Sequence, residues 1–275
     1  MDEFSCPVDS QRIEPLLTTR SLGRVMELHG CIDSTNLRAK QLAATAADTL
    51  HGTVVVADSQ TAGRGRMTRQ WESPPARNLY FSMILQPQVP PPVIPEIAIL
   101  CAIALHKALA NMIPEYDFGL KWPNDLWSRQ GRKLSGILCE ALFQGTSATV
   151  IAGLGINVNM TGQDFPDIIR DTAGSLRDIA GHCLDRNRIL ASFLNAFEPL
   201  LDTWQQVLSL QPFMDYWNAH DILNGTRITV QDGEAVITGT ARGIRTDGCL
   251  LLETAGNVSA IRTGDTHILK TELRH

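Results

Sequence analysis

Residues 63–71 read Gly63-Arg64-Gly65-Arg66-Met67-Thr68-Arg69-Gln70-Trp71, and they place three arginines within six residues of a chain whose formal net charge is -5. The glycines beside the first two arginines let the backbone approach a ligand closely. Guanidinium groups add fixed charge and paired donors suited to phosphate and carboxylate, and Trp71 offers a flat face for a ring. The pattern predicts a site for an anion that carries a planar base. Between Gly63 and Trp71 only Met67 is apolar, so the loop predicts a segment that is flexible when empty and orders on closing over its ligand. A plain solvated loop is the competing reading. No Gly-Lys-Ser/Thr follows at the spacing a P-loop needs.

Outward from this loop the chain reads as a mixed α and β domain. Asp33-Ser34-Thr35-Asn36 supplies helix caps before an Ala- and Leu-rich segment to about Ala47. Strands are predicted over Thr53–Ala57 and Asn78–Leu85, flanking the loop. The proline-rich residues 87–95 exclude regular structure. Residues 96–113 predict a largely buried helix, followed by strands over Phe118–Trp122, Lys133–Leu142 and Thr149–Val158. Apolar residues recur at helical spacing over 188–208, with Pro199 predicting a kink or early break. From Thr226 onward, short β-type runs alternate with Gly-containing turns, which predicts a small barrel or sandwich of about five strands. The expected division is a domain over 1–221, with 1–20 as a loose lead-in, and a second over 222–275.

Three further segments carry chemistry. Lys121-Trp122-Pro123-Asn124-Asp125 ends a strand in a turn that presents an amide and a carboxylate, although Pro, Asn and Asp also form turns for their own sake. Arg132-Lys133-Leu134-Ser135-Gly136-Ile137-Leu138-Cys139-Glu140 sets Lys133 at the mouth of an apolar strand, with Gly136 admitting a ligand near the backbone; a solubilising edge lysine is the bland alternative. Gly153-Leu154-Gly155-Ile156-Asn157-Val158-Asn159 lacks the third glycine of a dinucleotide fingerprint. Six scattered cysteines show no CxxC spacing, which predicts reduced thiols and no structural metal. The acidic N-terminus is unlike a secretory signal, and the longest apolar stretch is too short for a membrane span. A cytoplasmic protein is expected.

In order along the chain, Asp33-Ser34-Thr35-Asn36, Gln60-Thr61-Ala62-Gly63-Arg64-Gly65-Arg66, Lys121-Trp122-Pro123-Asn124-Asp125-Leu126, Lys133-Leu134-Ser135-Gly136-Ile137-Leu138 and Gly155-Ile156-Asn157 resemble the biotin protein ligases, over roughly residues 30–270. Each motif is weak alone; five in order are specific. The resemblance implies an α+β fold, a mixed sheet packed with helices like that of class II aminoacyl-tRNA synthetases, plus a C-terminal SH3-like β-barrel. It implies two steps: biotin attacks the α-phosphate of Mg-ATP to give biotinyl-5'-AMP and pyrophosphate, and a lysine of a biotin carboxyl carrier protein then displaces AMP. That carrier belongs to acetyl-CoA carboxylase or another biotin-dependent carboxylase.

By the same resemblance Ser34, Thr35, Asn36, Gln60, Arg64, Gly65, Arg66, Lys133 and Gly136 would contact biotin. Arg66, Trp71, Asn124, Asp125, Asn157 and Lys270 would contact the nucleotide, with Asp125 on the magnesium side. Arg64, Arg66 and Lys133 would be catalytic, because a carboxylate meeting a polyphosphate needs cations at the meeting point.

The chain departs from the family twice. Met67-Thr68 stands where the loop commonly has Arg-Gly. About 30 residues precede the Asp-Ser-Thr-Asn motif, too few for the winged helix that some members carry, so no operator binding is expected. No membrane partner is expected, and a homodimer is left open. The rival readings are a lipoate–protein ligase of the same fold, a non-catalytic biotin-binding regulator, and a nucleic-acid-binding module, the last disfavoured by the net negative charge.

Overall fold

The computed structural model describes residues 7–45, 50–145, 147–232 and 234–268. Its centre is a seven-stranded mixed sheet in the order β1-β2-β3-β7-β6-β5-β4. The strands are β1 (Met26–His29), β2 (Val54–Ala57), β3 (Leu79–Leu85), β4 (Phe118–Lys121), β5 (Asp125–Ser128), β6 (Lys133–Gln144) and β7 (Ser147–Ile156). β1 and β2 run parallel, and every other pair is antiparallel. The helices are α1 (Ser10–Ile13), α2 (Thr35–Thr45), α3 (Glu96–Met112), α4 (Asp167–Arg170), α5 (Leu176–Ala180), α6 (Arg186–Val207) and α7 (Met214–His220).

The two-residue period of strands sorts the sheet into two faces. Leu79, Phe81, Met83 and Leu85 of β3 join Val150, Ala152, Leu154 and Ile156 of β7 in one core with Leu100, Ile103 and Leu105 of α3 and Leu190, Phe193 and Phe197 of α6. On the opposite face Val55, Ile84 and Ile151 pack against Ala39 of α2. Every residue of β3 is buried because both faces are covered. Farther along the second face, Gly153 and Gly155 of β7 lie opposite Leu138 and Gly136 of β6. There the sheet itself carries little side-chain bulk, and Asn36 at the start of α2 lies against Gly153.

A second sheet, β11-β10-β9-β8-β12, is built from β8 (Arg227–Asp232), β9 (Ala235–Ile244), β10 (Leu250–Thr254), β11 (Asn257–Ile261) and β12 (Asp265–Ile268), all antiparallel. It is the five-stranded β unit expected. The polypeptide leaves the first sheet where Asp221 bridges Leu120 and Ile222 N donates to Leu120 O at 3.0 Å. Gly119 makes this crossing tight: a Cβ there would lie 2.1 Å from Ile222 Cγ2.

Two expectations need correction. The early break offered at Pro199 does not occur: α6 runs through it as one helix, its buried stripe held against α3 and the sheet. Asp125, read as a turn residue, begins β5 and pairs with both Lys121 and Gly136. Among the described residues no helix is long and apolar enough to cross a membrane.

Beside Pro199, Glu198 ties α6 to the N-terminal segment. Its carboxylate is 8% exposed and accepts from the backbone N–H groups of Arg20, Ser21 and Leu22 at 2.6, 2.8 and 3.0 Å. Burial pushes its pKa up, but these hydrogen bonds outweigh that and hold it below the ordinary carboxylate value of 4.5. A depressed folded-state pKa contributes stability above the unfolded value, which is lost as pH falls through the folded value. Glu198→Ala is expected to cost about 2–4 kcal/mol in denaturant unfolding at pH 7. Glu198→Gln should lose the component of acid destabilisation that the unmodified chain shows below pH 4.5.

Candidate active site

The glycine-bare face of β6 and β7 is the floor of a cleft of about 650 Å³. Three side chains that would otherwise meet a Cβ lie against that floor. A Cβ on Gly153 would fall 1.8 Å from Asn36 Oδ1, and one on Gly155 would fall 2.4 Å from Trp71 Nε1. One on Gly136 would fall 3.0 Å from Trp71 Cζ3 and 3.2 Å from Lys133 Nζ. The glycines are therefore the space that Asn36, Trp71 and Lys133 occupy.

One end of the cleft is polar and buried. Ser34, Thr35 and Asn36 open α2, all three at 4% exposure or less. Thr35 N donates to Gln60 Oε1 at 2.9 Å, and Gln60 Nε2 donates to Ser73 Oγ at 3.0 Å. Ser82 Oγ of β3 donates to Asn36 Oδ1 at 2.6 Å and lies in hydrogen-bond contact with the Thr35 hydroxyl at 2.8 Å. Asn36 Nδ2 donates to Glu140 Oε2 at 2.9 Å. Such a network fixes donors and acceptors for a neutral polar ring.

The other end is cationic. Lys133 Nζ lies 2.7 Å from Asp125 Oδ2 and 5.7 Å from the Trp71 ring centroid. Arg66 donates through Nη1 to Asn124 Oδ1 at 3.2 Å and through Nη2 to Gly264 O at 2.9 Å. Burial lowers the Arg66 pKa, against the pull of Asp125 and Asp265; a guanidinium stays charged throughout. Asn124 Nδ2 donates to Ile137 O, and Asn157 Nδ2 donates to Lys133 O at 3.4 Å.

The loop itself is a short hairpin. Arg64 and Gln70 form a bridge, Gly65 N donates to Arg69 O at 2.7 Å, and Arg69 N donates to Arg66 O at 3.1 Å. The turn residues Met67 and Thr68 have φ of 52° and 60°, the φ pattern of a type I′ turn, which favours glycine. The two residues that depart from the family loop are the two in the left-handed region.

Ser34, Thr35, Asn36, Gln60, Arg64, Gly65, Arg66, Trp71, Asn124, Asp125, Lys133, Gly136 and Asn157 all line this one cleft. Lys270 lies outside the described residues. Sequence reasoning missed two walls. One is the segment with Phe165, Ile169 and Ala173; the other is Asp265, Thr266 and His267 of β12. Long-range docking brings β12 in, which no local pattern encodes. Lys121 stood in a recognised motif without a role. It is 6% exposed, donates to Thr266 O at 2.7 Å and lies 4.3 Å over the Trp127 ring. Burial lowers its pKa to about 8.

The biotin/lipoate A/B protein ligase family matches residues 29–157. Over 92% of the chain there is 34% identity to the bifunctional ligase/repressor BirA of Bacillus subtilis, covering 76% of that protein. The biotin–[acetyl-CoA-carboxylase] ligase of Mycobacterium tuberculosis is 31% identical, over 96% of this chain and 97% of that one. This chain belongs to the biotin protein ligases. The biotin protein ligase of Aquifex aeolicus, solved with biotin and ATP, shares the fold at a TM-score of 0.75 and 29% identity, covering 90% of this chain and 99% of that one. Within this family the cleft is the candidate active site, and the hairpin tip holds the left-handed residues Met67 and Thr68. Thr68→Gly is expected to relieve about 1 kcal/mol of left-handed strain, read as slower amide hydrogen exchange at Arg69, whose N–H closes the turn. Unchanged or faster exchange would show that the threonine imposes no strain.

Proposed function

We propose that the cleft between the α2 N-terminus, the Arg64–Arg66 loop and Lys133 activates biotin with ATP and passes the biotinyl group to a carrier lysine. The chain is a ligase that forms an amide bond, with biotin and ATP as its substrates. The observation that carries the assignment of roles is the polarity of the cleft: a neutral hydrogen-bonding end at Ser34, Thr35, Asn36 and Gln60, and a cationic end at Arg66 and Lys133, with Arg64 also in the lining. Biotin has the same polarity, a ureido ring at one end and a carboxylate at the other.

In the first step a carboxylate oxygen attacks the α-phosphate, the P–O bond to the β-phosphate breaks, and pyrophosphate leaves with the bonding pair. Two anions must approach one another, so the barrier is largely electrostatic. Lys133 meets the incoming anions in place of part of its contact with Asp125. Arg66, fixed by Asn124 and Gly264, needs little reorganisation as charge moves. Trp71 and Asn157 would take the adenine side. Asp125 and Asn124 fit the phosphate side, because Mg²⁺ is usually held by one or two carboxylates and the substrate's own phosphates; Mg²⁺ there would screen the polyphosphate charge. In the second step a lysine amine of a biotin carboxyl carrier protein forms the amide and AMP leaves. The division into 1–221 and 222–275, with Arg66 reaching across it to Gly264 and Lys121 to Thr266 of β12, belongs to the same reading.

Lipoate ligation is the alternative within the family. The unmodified chain is expected to release pyrophosphate from Mg-ATP with biotin and not with lipoate. Lys133→Ala should lower that rate by about a hundredfold or more. Release with lipoate alone, or full activity in Lys133→Ala, would overturn the assignment.

A further inference from the structure

We infer that Arg186 is a positioning residue for the adenylation step: its guanidinium pins both ends of loop residues 58–78 and so sets where Arg64 and Arg66 point. This rests on the ligase reading above and extends it to a residue outside the cleft lining.

Arg186 opens α6, and its side chain is 1% exposed. Arginine is almost never so buried without partners, and a cation at a helix N-terminus opposes the macrodipole. Neither the core nor the helix therefore accounts for it, but its contacts do. Nη1 donates to Asp58 Oδ1 at 2.7 Å and to Asn78 O at 2.9 Å. Asp58 directly follows β2 and Asn78 directly precedes β3. One guanidinium nitrogen thus holds the chain both where the loop leaves the sheet and where it returns. Asp58 closes the base a second time, because its Oδ2 accepts from Ala76 N at 3.0 Å. Ala76 has φ of 61°, an uphill conformation for a residue with a Cβ, and that bond helps to hold it there.

From this base the two arms of the loop are bonded to each other at intervals out to the tip. Gln60 N donates to Ser73 O at 3.2 Å, Trp71 N to Gly63 O at 3.0 Å and Gly65 N to Arg69 O at 2.7 Å. Arms cross-linked in this way tilt as one piece, so a shift at Asp58 and Asn78 displaces Gln60, Arg64, Arg66 and Trp71 together. Asn78 carries the brace on to the nucleotide side of the cleft. Its Oδ1 accepts from Val158 N at 3.0 Å, and its Nδ2 donates to Asn157 Oδ1 at 3.5 Å. Desolvation offsets most of the attraction within a buried ion pair, so what Arg186 and Asp58 supply is position more than stability. A displacement of about 1 Å at reacting groups can cost about a hundredfold in rate. Arg66 is also held by Asn124 and Gly264, which limits the loss when the base is released.

The test uses Arg186→Met, alone and combined with Asp58→Asn, in the full-length chain. The double variant removes both charges, while the new amide still accepts from Ala76 N. In both, kcat/KM for biotin in pyrophosphate release is expected to fall about tenfold or more. Amide hydrogen exchange should quicken over residues 60–71 and stay unchanged in α3 and β7. The double variant leaves no buried charge unpaired and should melt within about 3 °C of the unmodified chain, so its low rate is not a loss of fold. Arg186→Lys, whose ammonium can donate to both acceptors, should recover part of the rate. A stable double variant that releases pyrophosphate at the unmodified rate would overturn the proposal. So would exchange that rises equally throughout the chain, which would make Arg186 a general support of the fold. If the unmodified chain releases no biotin-dependent pyrophosphate, the ligase reading fails, and the exchange pattern alone then decides whether Arg186 holds the loop.

Discussion

The site depends on the absence of side chains at three places. Gly136, Gly153 and Gly155 face the same way on two paired strands, and each occupies the only kind of position where Asn36, Trp71 and Lys133 can lie against the sheet. A β-sheet normally covers such a face with branched side chains, and farther along the same face Val55, Ile84 and Ile151 do so. Leaving it bare at the centre forfeits burial energy locally. It yields a floor whose backbone is paired along β6 and β7, which a ligand can approach closely.

From that floor the rest follows outward. α2 starts where Ser82, buried in β3, accepts its position by bonding Thr35 and Asn36, so the polar end of the cleft is built into the sheet. The cationic end is held differently. Arg69 and Lys121 reach β12 through the Asp265 carboxylate at 2.5 Å and Thr266 O, Arg66 reaches Gly264 O just before it, and Thr266 Oγ1 returns a bond to Trp122 O at 3.1 Å. The loop is therefore fastened on one side to a hairpin turn of its own and on the other to the second sheet. The guanidinium of Arg66 is thus tied directly to the backbone beside β12.

Much of this was legible in the chain. The strands flanking the loop, the buried helix α3 and the five-stranded C-terminal unit follow from apolar period and turn residues. Motif order and resemblance named thirteen residues that do line one cleft. What escaped was non-local. Asp125 looked like a turn residue because Pro123 and Asn124 precede it, and only pairing with Gly136 makes it a strand. Pro199 predicted a kink or an early break because the rule is local, and the break is absent because the burial of Phe193, Phe197 and Leu201 acts on the whole helix. Asp265, Thr266 and His267 read as the rim of a turn and a short strand, since nothing in their neighbourhood encodes docking some 200 residues upstream at Arg66. The meaning of Met67-Thr68 also changed. In sequence it was a lost charge and a lost glycine; in the fold it is a pair of left-handed residues at the tip of the hairpin.

The central claim is that one cleft with a neutral end and a cationic end makes a biotinyl adenylate and delivers it to a lysine. The most direct measurement is intact-protein and peptide mass spectrometry of a carboxyl carrier domain after incubation with this chain, biotin and Mg-ATP. The account predicts a mass gain of one biotinyl group, on one lysine, that requires all three additions. A carrier left at its original mass, while the same preparation is modified by a ligase of established activity, would contradict it.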